Sequence, residues 1–288
     1  MEFRTIDGDG QRYVVSQRGE GPDIVLLHGF PDTPYSWSEI EATLVDAGWR
    51  VTVPWLRGYH RETIVPGRRY DAETIGRDGL GLLDAIDAPR AVLFGHDWGA
   101  LVTYAAAALA PDRVRAIVTS GIPHPSLLRR TPTALWAVRH FFALKLPWAP
   151  RTCRRNNFSY FDRLYRRWSP GWSGPERDET LNRAKQALSS PATLDGAISY
   201  YRALSLGGLA PVIARVPPVP GLIIGSDHSL AERDLFSRTA EQLAPPSRAL
   251  IPPGTGHWPH RENAAVVIPE LLGFLGQFET TLQPKEPT

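Results

Sequence analysis

Short apolar runs alternate with longer amphipathic stretches through the first half of the chain. Residues 24–27 (IVLL), 51–54 (VTVP), 91–94 (AVLF) and 114–119 (VRAIVT) are apolar at successive positions and too short for helices, the pattern of strands buried on both faces. Residues 13–16 add another. Between these runs, 37–48, 72–86 and 99–110 have helical length. Strands alternating with helices predict right-handed βαβ crossovers and a parallel sheet covered on both faces. The rhythm stops at Gly121-Ile-Pro-His-Pro125, after which arginine- and tryptophan-rich helical patches are punctuated by prolines. It resumes with strands at 219–224 and 248–251 and a closing helix at 264–278. The predicted organisation is a core of 1–123 and 209–288 with a helical segment, 124–208, inserted into it. A polar tail after Thr281 is expected to fray.

Composition changes this picture little. The 288 residues are 42% hydrophobic and 22% charged, which fits one large or two modest globular units and excludes a disordered or fibrous chain. The single cysteine, Cys153, excludes an internal disulfide framework and a multi-thiolate zinc site. No stretch approaches 18 uninterrupted apolar residues, and MEFRTIDGDGQRY has no apolar leader region; a cytoplasmic protein without a transmembrane segment is expected. The net charge is +2, but residues 124–175 carry ten Lys and Arg against the single acid Asp162, leaving about −7 for the rest. Such a block draws an anionic substrate or surface. Arginine supplies 29 of the 32 basic residues, however, and that general preference alone would load any solvated helix. No nucleic-acid partner is expected.

The chemistry concentrates at Gly95-His96-Asp97-Trp98-Gly99, which follows the run AVLF and opens an alanine-rich helix. Strand, sharp turn and helix, with glycines two residues either side of the centre, is how a nucleophile elbow presents its side chain above a sheet. The central residue is Asp97 instead of serine. The sequence here resembles the α/β-hydrolase superfamily, and within it the epoxide hydrolases and haloalkane dehalogenases, over nearly the whole chain. The resemblance implies an α/β-hydrolase fold: a mostly parallel, doubly wound sheet with an inserted helical lid. The aspartate has its own logic. A serine attacking saturated carbon would leave an ether that water cannot readily cleave, whereas a carboxylate leaves an ester with a carbonyl to attack. Asp97 can also serve as the cap of the helix that follows.

The same resemblance assigns the remaining roles. Leu27-His28-Gly29-Phe30-Pro31 resembles the H-G-x-P loop, so the backbone N–H groups of Phe30 and Trp98 would form the oxyanion hole, with Phe30-Pro31 a candidate cis peptide and His28 a buried structural residue. Gly256-His257-Trp258 resembles the G-H-W-x-x-x-E/N segment that carries the general base, implying His257. The acid that orients it normally lies three residues beyond a glycine; here that glycine is Gly225, the third position is His228, and Asp227 stands one place early. Asp227 is the expected acid, ahead of Glu232 and Asp234. Ser199-Tyr200-Tyr201-Arg202 resembles the late lid motif, implying that Tyr201 protonates the leaving oxygen. The first lid tyrosine is replaced by His140, which with Phe141 forms a candidate pocket wall; an imidazole donates strongly when protonated, and a basic lid should lower its pKa. His124 and His260 are read as surface or loop residues.

Together these residues imply an enzyme that opens a small hydrophobic epoxide by Asp97 attack and releases a diol with water activated by His257, using no metal or organic cofactor. A haloalkane dehalogenase is the neighbouring reading, though Phe30 occupies the place where such enzymes often carry a halide-binding asparagine. A third is a protein that keeps the fold for ligand binding, cyclisation or rearrangement, since fold alone does not fix function.

Overall fold

The computed structural model describes all residues except 9, 66, 68, 129, 130, 205–208 and 279–288, so the tail after Thr281 and two arginines of the basic block lie outside the described residues. Eight strands form one sheet: β1 (Arg4–Gly8), β2 (Gln11–Arg18), β3 (Asp23–Leu27), β4 (Arg50–Pro54), β5 (Ala91–His96), β6 (Val114–Ser120), β7 (Pro220–Ile224) and β8 (Ala244–Leu250), in the order β1-β2-β4-β3-β5-β6-β7-β8. From β4 to β8 every pairing is parallel, whereas β1 pairs antiparallel with β2 and β2 antiparallel with β4. The pattern of the chain misses β1 because RTIDG has only Ile6 to bury; its order comes from hairpin pairing at the sheet edge. It also starts β8 late. Pro245 and Pro246 lie inside this strand, which is tolerated because an edge strand has no second neighbour awaiting its N–H groups.

Eleven α-helices are described, in chain order α1 (Ser38–Asp46), α2 (Ala72–Ala85), α3 (Trp98–Leu109), α4 (Pro132–Ala137), α5 (Arg139–Lys145), α6 (Ala149–Trp168), α7 (Pro175–Ala187), α8 (Pro191–Ala203), α9 (Asp234–Gln242), α10 (Pro259–Glu262) and α11 (Ala264–Leu275). Strand residues alternate between two cores, as period-two geometry demands. Ile24, Leu26, Val92, Phe94, Leu222 and Ile224 face one side with Ile40 and Leu44 of α1 and Val267 and Leu271 of α11. Val25, Leu27, Leu93, Ile117 and Ile223 face the other, with α2, α3 and α9. The sheet is thus doubly wound.

Between β6 and β7 run α4 to α8. Helical geometry breaks inside α6, where Asn156, Asn157 and Phe158 take φ of 49°, 50° and 58°; asparagine tolerates this region, and Phe158 is held there among buried rings, 5.2 Å from Phe161. Hydrogen bonds fasten this insertion over the strands' carboxyl ends, among them the following. The Tyr165 hydroxyl donates to Pro31 O at 2.9 Å, Tyr200 to Arg57 O at 3.0 Å, and His257 N–H to Trp168 O at 2.9 Å.

Among the described glycines the closest approach is that of Gly99 to β3, where an added Cβ would lie 2.0 Å from Leu27 O. Gly273 in α11 offers the contrast: its Cβ would meet nothing nearer than Arg248 Nη2 at 3.9 Å. Gly99→Ala is expected to lower unfolding stability by about 3 kcal/mol, and Gly273→Ala to raise it by roughly 0.5–1 kcal/mol through restored helix propensity. Urea denaturation of the two variants checks both signs.

Candidate active site

Asp97 sits between the end of β5 and the start of α3 with φ 51° and ψ −114°, a conformation costly for a residue with a side chain. It is held there because nothing else fits. A Cβ on Gly95 would lie 2.1 Å from Gly99 O, and one on Gly29 would lie 2.4 Å from Asp97 Cβ. The turn throws the carboxylate away from the helix, so Asp97 makes no side-chain cap for α3, contrary to that expectation. Phe30 N–H donates to Oδ1 at 2.8 Å, and the Phe30-Pro31 peptide is cis. Trp98 N–H makes no bond to the carboxylate among the described residues. The Asp97 side chain remains 14% exposed.

His257 Nε2 lies 3.4 Å from Asp97 Oδ2. Burial works to raise the Asp97 pKa, but His257, His96 and the Phe30 N–H outweigh it and hold the carboxyl below its usual range. Two further polar groups feel the Asp97 charge. The Tyr201 ring packs 5.2 Å from Phe30, 4.9 Å from Trp98 and 5.2 Å from Phe141, and its hydroxyl is fully buried with no hydrogen bond of normal geometry among the described residues. Burial, reinforced by the Asp97 charge, raises its pKa far above the ordinary phenol. The His140 ring lies 5.9 Å from Tyr201 and 4.7 Å from Trp168, with Nδ1 likewise buried and without a partner. Burial lowers its pKa to about 3, so it is a neutral imidazole at working pH, and the expected protonated donor is replaced by a neutral one. Phe141 stacks on Trp98 at 6.3 Å.

Asp227 is not brought to His257. Its carboxylate accepts from Gly254 N–H at 2.6 Å and pairs with Arg233 at 3.0 Å, and among the described residues no carboxylate bonds the His257 ring apart from Asp97. The loop after β7 is stitched sideways to the loop after β8, also through His228 N–H to Thr255 O at 2.9 Å, so Asp227 braces that loop at its base.

The sequence reading missed two carboxylates that fix this loop. Glu262 accepts from Gly256 N–H at 2.8 Å, Trp258 N–H at 2.9 Å and the Ser169 hydroxyl at 2.6 Å, while Ser169 Oγ accepts from His257 N–H at 2.9 Å. The glutamate of the G-H-W-x-x-x-E segment was its signal. Asp32 lies deeper, accepting from Trp258 Nε1 at 3.0 Å, from Thr33 N–H at 2.7 Å and from the Ser36 hydroxyl. Burial pushes its carboxyl up to about 6. His96, 3.7 Å from Asp32, bonds His257 O through Nε2 at 2.9 Å, and burial takes it down to about 3. His260 stacks on Trp37 at 4.5 Å and His124 packs on Tyr104 at 4.7 Å; both are buried, which corrects their reading as surface residues, while His124 does lie in a loop and His260 in α10. His28 behaves as expected, accepting from Leu56 N–H at 3.1 Å. Asp32, His96 and His260 place ligand atoms within 4.8 Å of one another, yet both oxygens of Asp32 are already bonded within the protein, so the trio serves as internal support.

An aspartate on a strand-to-helix elbow, faced by a histidine from the loop after the last strand, defines a class. The chain belongs to the α/β-hydrolase fold family, whose model matches residues 22–264. It is 31% identical over 286 residues to the AB hydrolase superfamily protein YfhM of Bacillus subtilis, covering 95% of this chain and 97% of that one. It is 29% identical to epoxide hydrolase A of Mycobacterium tuberculosis, over 96% and 98% of the two chains. Among solved structures it superposes on epoxide hydrolase A of Mycobacterium thermoresistibile with a TM-score of 0.77 at 27% identity, covering 96% and 98%. The protein is an α/β-fold hydrolase of epoxide hydrolase-like type.

Five histidines, 28, 96, 124, 140 and 260, are held neutral by burial. As pH falls through 6.5 the unfolded chain binds protons on them and the native state does not follow until far lower pH. Each costs about 1.4 kcal/mol between pH 7.5 and 5.5, and protonation of Asp32, whose shift has the opposite sign, returns under about 1 kcal/mol. Unfolding stability is expected to drop by roughly 6 kcal/mol over that interval. Urea midpoints at the two pH values measure it, and equal midpoints would contradict it.

Proposed function

We propose that the protein hydrolyses small hydrophobic epoxides through an ester of Asp97. The observation that carries this reading is a low-pKa carboxylate whose charge reaches two buried polar groups, the Tyr201 hydroxyl and the neutral His140 imidazole, with the hydroxyl and Nδ1 making no hydrogen bond of normal geometry among the described residues. An Oδ2 lone pair attacks a ring carbon and the C–O bond breaks. The oxygen leaves as an alkoxide, a base strong enough to take the Tyr201 proton despite that group's raised pKa, while neutral His140 supplies a hydrogen bond. His257 then deprotonates a water that adds to the ester carbonyl. The resulting oxyanion sits on Oδ1, where Phe30 N–H already points and where Trp98 N–H, at the start of α3, is the second donor. Collapse expels the ester oxygen, which takes the proton of the added hydroxyl, so the diol leaves and the Asp97 carboxylate is restored, while the His257 proton returns to Tyr201 through solvent. Phe30, Phe141 and Trp98 give the pocket its apolar walls.

A dehalogenase reading has one observation in its favour: Trp98 Nε1 is buried with no hydrogen bond of normal geometry among the described residues and would suit a halide. A halide leaves without needing a proton, however, so the buried Tyr201 acid would be superfluous, and Phe30 offers no second donor from its side chain. The names of the relatives support the epoxide reading.

Styrene oxide in heavy-oxygen water, followed by mass analysis of the Asp97 peptide, tests the proposal; label should accumulate over turnovers. His257→Gln should slow ester hydrolysis about 100-fold or more and accumulate the adduct, Asp97→Ala should form none, and Tyr201→Phe should slow alkylation about 100-fold. Normal turnover by His257→Gln would refute the two-step route. Alkylation should show no His140-dependent limb between pH 5.5 and 8.5, because that ring stays neutral throughout. Asp227→Asn should change ester hydrolysis less than about tenfold, against about 10⁴ for an acid that holds the catalytic imidazole. Pre-steady-state kinetics separates the steps.

A further inference from the structure

Large hydrophobic side chains more than a third exposed are few among the described residues, and six of the seven fall within 128–148: Leu128, Leu135, Trp136, Phe142, Leu146 and Trp148, from 38% to 69% exposed. The inner face of the same segment is already satisfied. On α5, His140 and Leu144 are buried and Phe141 packs on Trp98 and Tyr201, whereas Phe142 and Leu146 lie about half a turn round the helix, on the side Arg139 shares. The core therefore gives no reason for the outer apolar face.

Charge singles out the same region. Arg139, Arg151, Arg154, Arg155, Arg163 and Arg166 have no acidic partner among the described residues, and the one acid of 124–175, Asp162, is taken by Lys185 at 2.8 Å. The Arg139 guanidinium lies over the Trp136 ring at 4.3 Å, and Trp148 is followed at helical spacing by Arg151 and Arg155. Exposed tryptophans with arginines beside them, on short helices carrying aliphatic side chains, are the composition of a surface that sits at a headgroup boundary.

We infer that the outer face of α4, α5 and the first turns of α6 docks on an anionic lipid bilayer. Tryptophan, leucine and phenylalanine enter the headgroup region and the unpaired guanidiniums bind the anionic lipids. The attachment is peripheral, since no helix of the described residues is long and apolar enough to cross a membrane. A second copy of the chain is a poor occupant: a two-fold interface sets each patch against its own image, bringing two strongly cationic surfaces together. Because α5 turns its other face to Tyr201 and Trp98, a docked insertion sets the lipid against the outer wall of the candidate active site.

Co-sedimentation of the full chain with vesicles of phosphatidylcholine alone, and with 30% phosphatidylglycerol added, tests this. Wild type should partition onto the anionic vesicles about tenfold or more strongly than onto the neutral ones, with the preference lost at high salt. Trp136→Ser with Trp148→Ser, and separately Arg151→Glu with Arg154→Glu and Arg155→Glu, should each lower that partitioning about tenfold. Thermal melting should be unmoved in both variants, because every altered side chain is exposed. The inference falls if neither vesicle is bound, if the variants partition as wild type does, if light scattering shows a dimer that the tryptophan substitutions dissolve, or if duplex DNA is retained in preference to anionic vesicles.

Discussion

One backbone constraint underlies the site: a residue with a side chain occupies a positive-φ turn wedged between β3 and α3. Asp97 is kept there by the absence of Cβ atoms at Gly29, Gly95 and Gly99, any of which would overlap the main chain or the aspartate itself. The strain is offset by the buried parallel strands on either side, Leu27 and Phe94 among them, which cannot move apart without opening both cores. From this turn follow the exposure of the carboxylate, the approach of Phe30 N–H and the position of α3. A change that relaxes the turn would lose the chemistry before it lost the sheet.

His257 is positioned by its main chain more than by its ring. His257 N–H is held by Trp168 O and Ser169 Oγ, its carbonyl by His96, and its neighbours Gly256 and Trp258 by Glu262. These partners come from the insertion, from β5 and from α10, so the loop can adopt its conformation only when all three are assembled. Asp32 closes the arrangement through Trp258 Nε1, and its burial, which pushes the carboxyl up to about 6, shows how far the layer excludes water. Polar groups this deep are tolerated because nearly every oxygen has a donor.

The insertion faces two ways. Its inner side supplies Tyr201, His140 and Phe141 to the site and Tyr165 and Tyr200 to the contacts that fasten it down. Its outer side combines exposed tryptophan and leucine with arginines free of acids, in a chain whose remaining residues are net acidic. Chemistry and attachment can thus be coupled through α5, a helix of only seven residues.

Local pattern was enough to reveal the parallel core, the elbow and the histidine loop, because each rests on short-range physics: apolar runs that demand two-sided burial, glycines that permit one turn, and a residue type whose reactivity is its own. Its strand rhythm also breaks at Gly121, ahead of the helices α4 to α8. What it left open depended on contacts between distant segments. β1 has too little apolar character to declare itself without β2; Asp227 reads as the base's partner until the loops after β7 and β8 are placed side by side; His124 and His260 read as surface residues until Tyr104 and Trp37 are packed over them. The same holds for His140, whose protonation is set by how thoroughly α5, α6 and α8 exclude water from it. Sequence determined which groups could react, since that is written in residue type and local spacing. Tertiary structure decided which of them meet and in what charge state, because proximity and dielectric belong to the packed molecule and to no single segment of it.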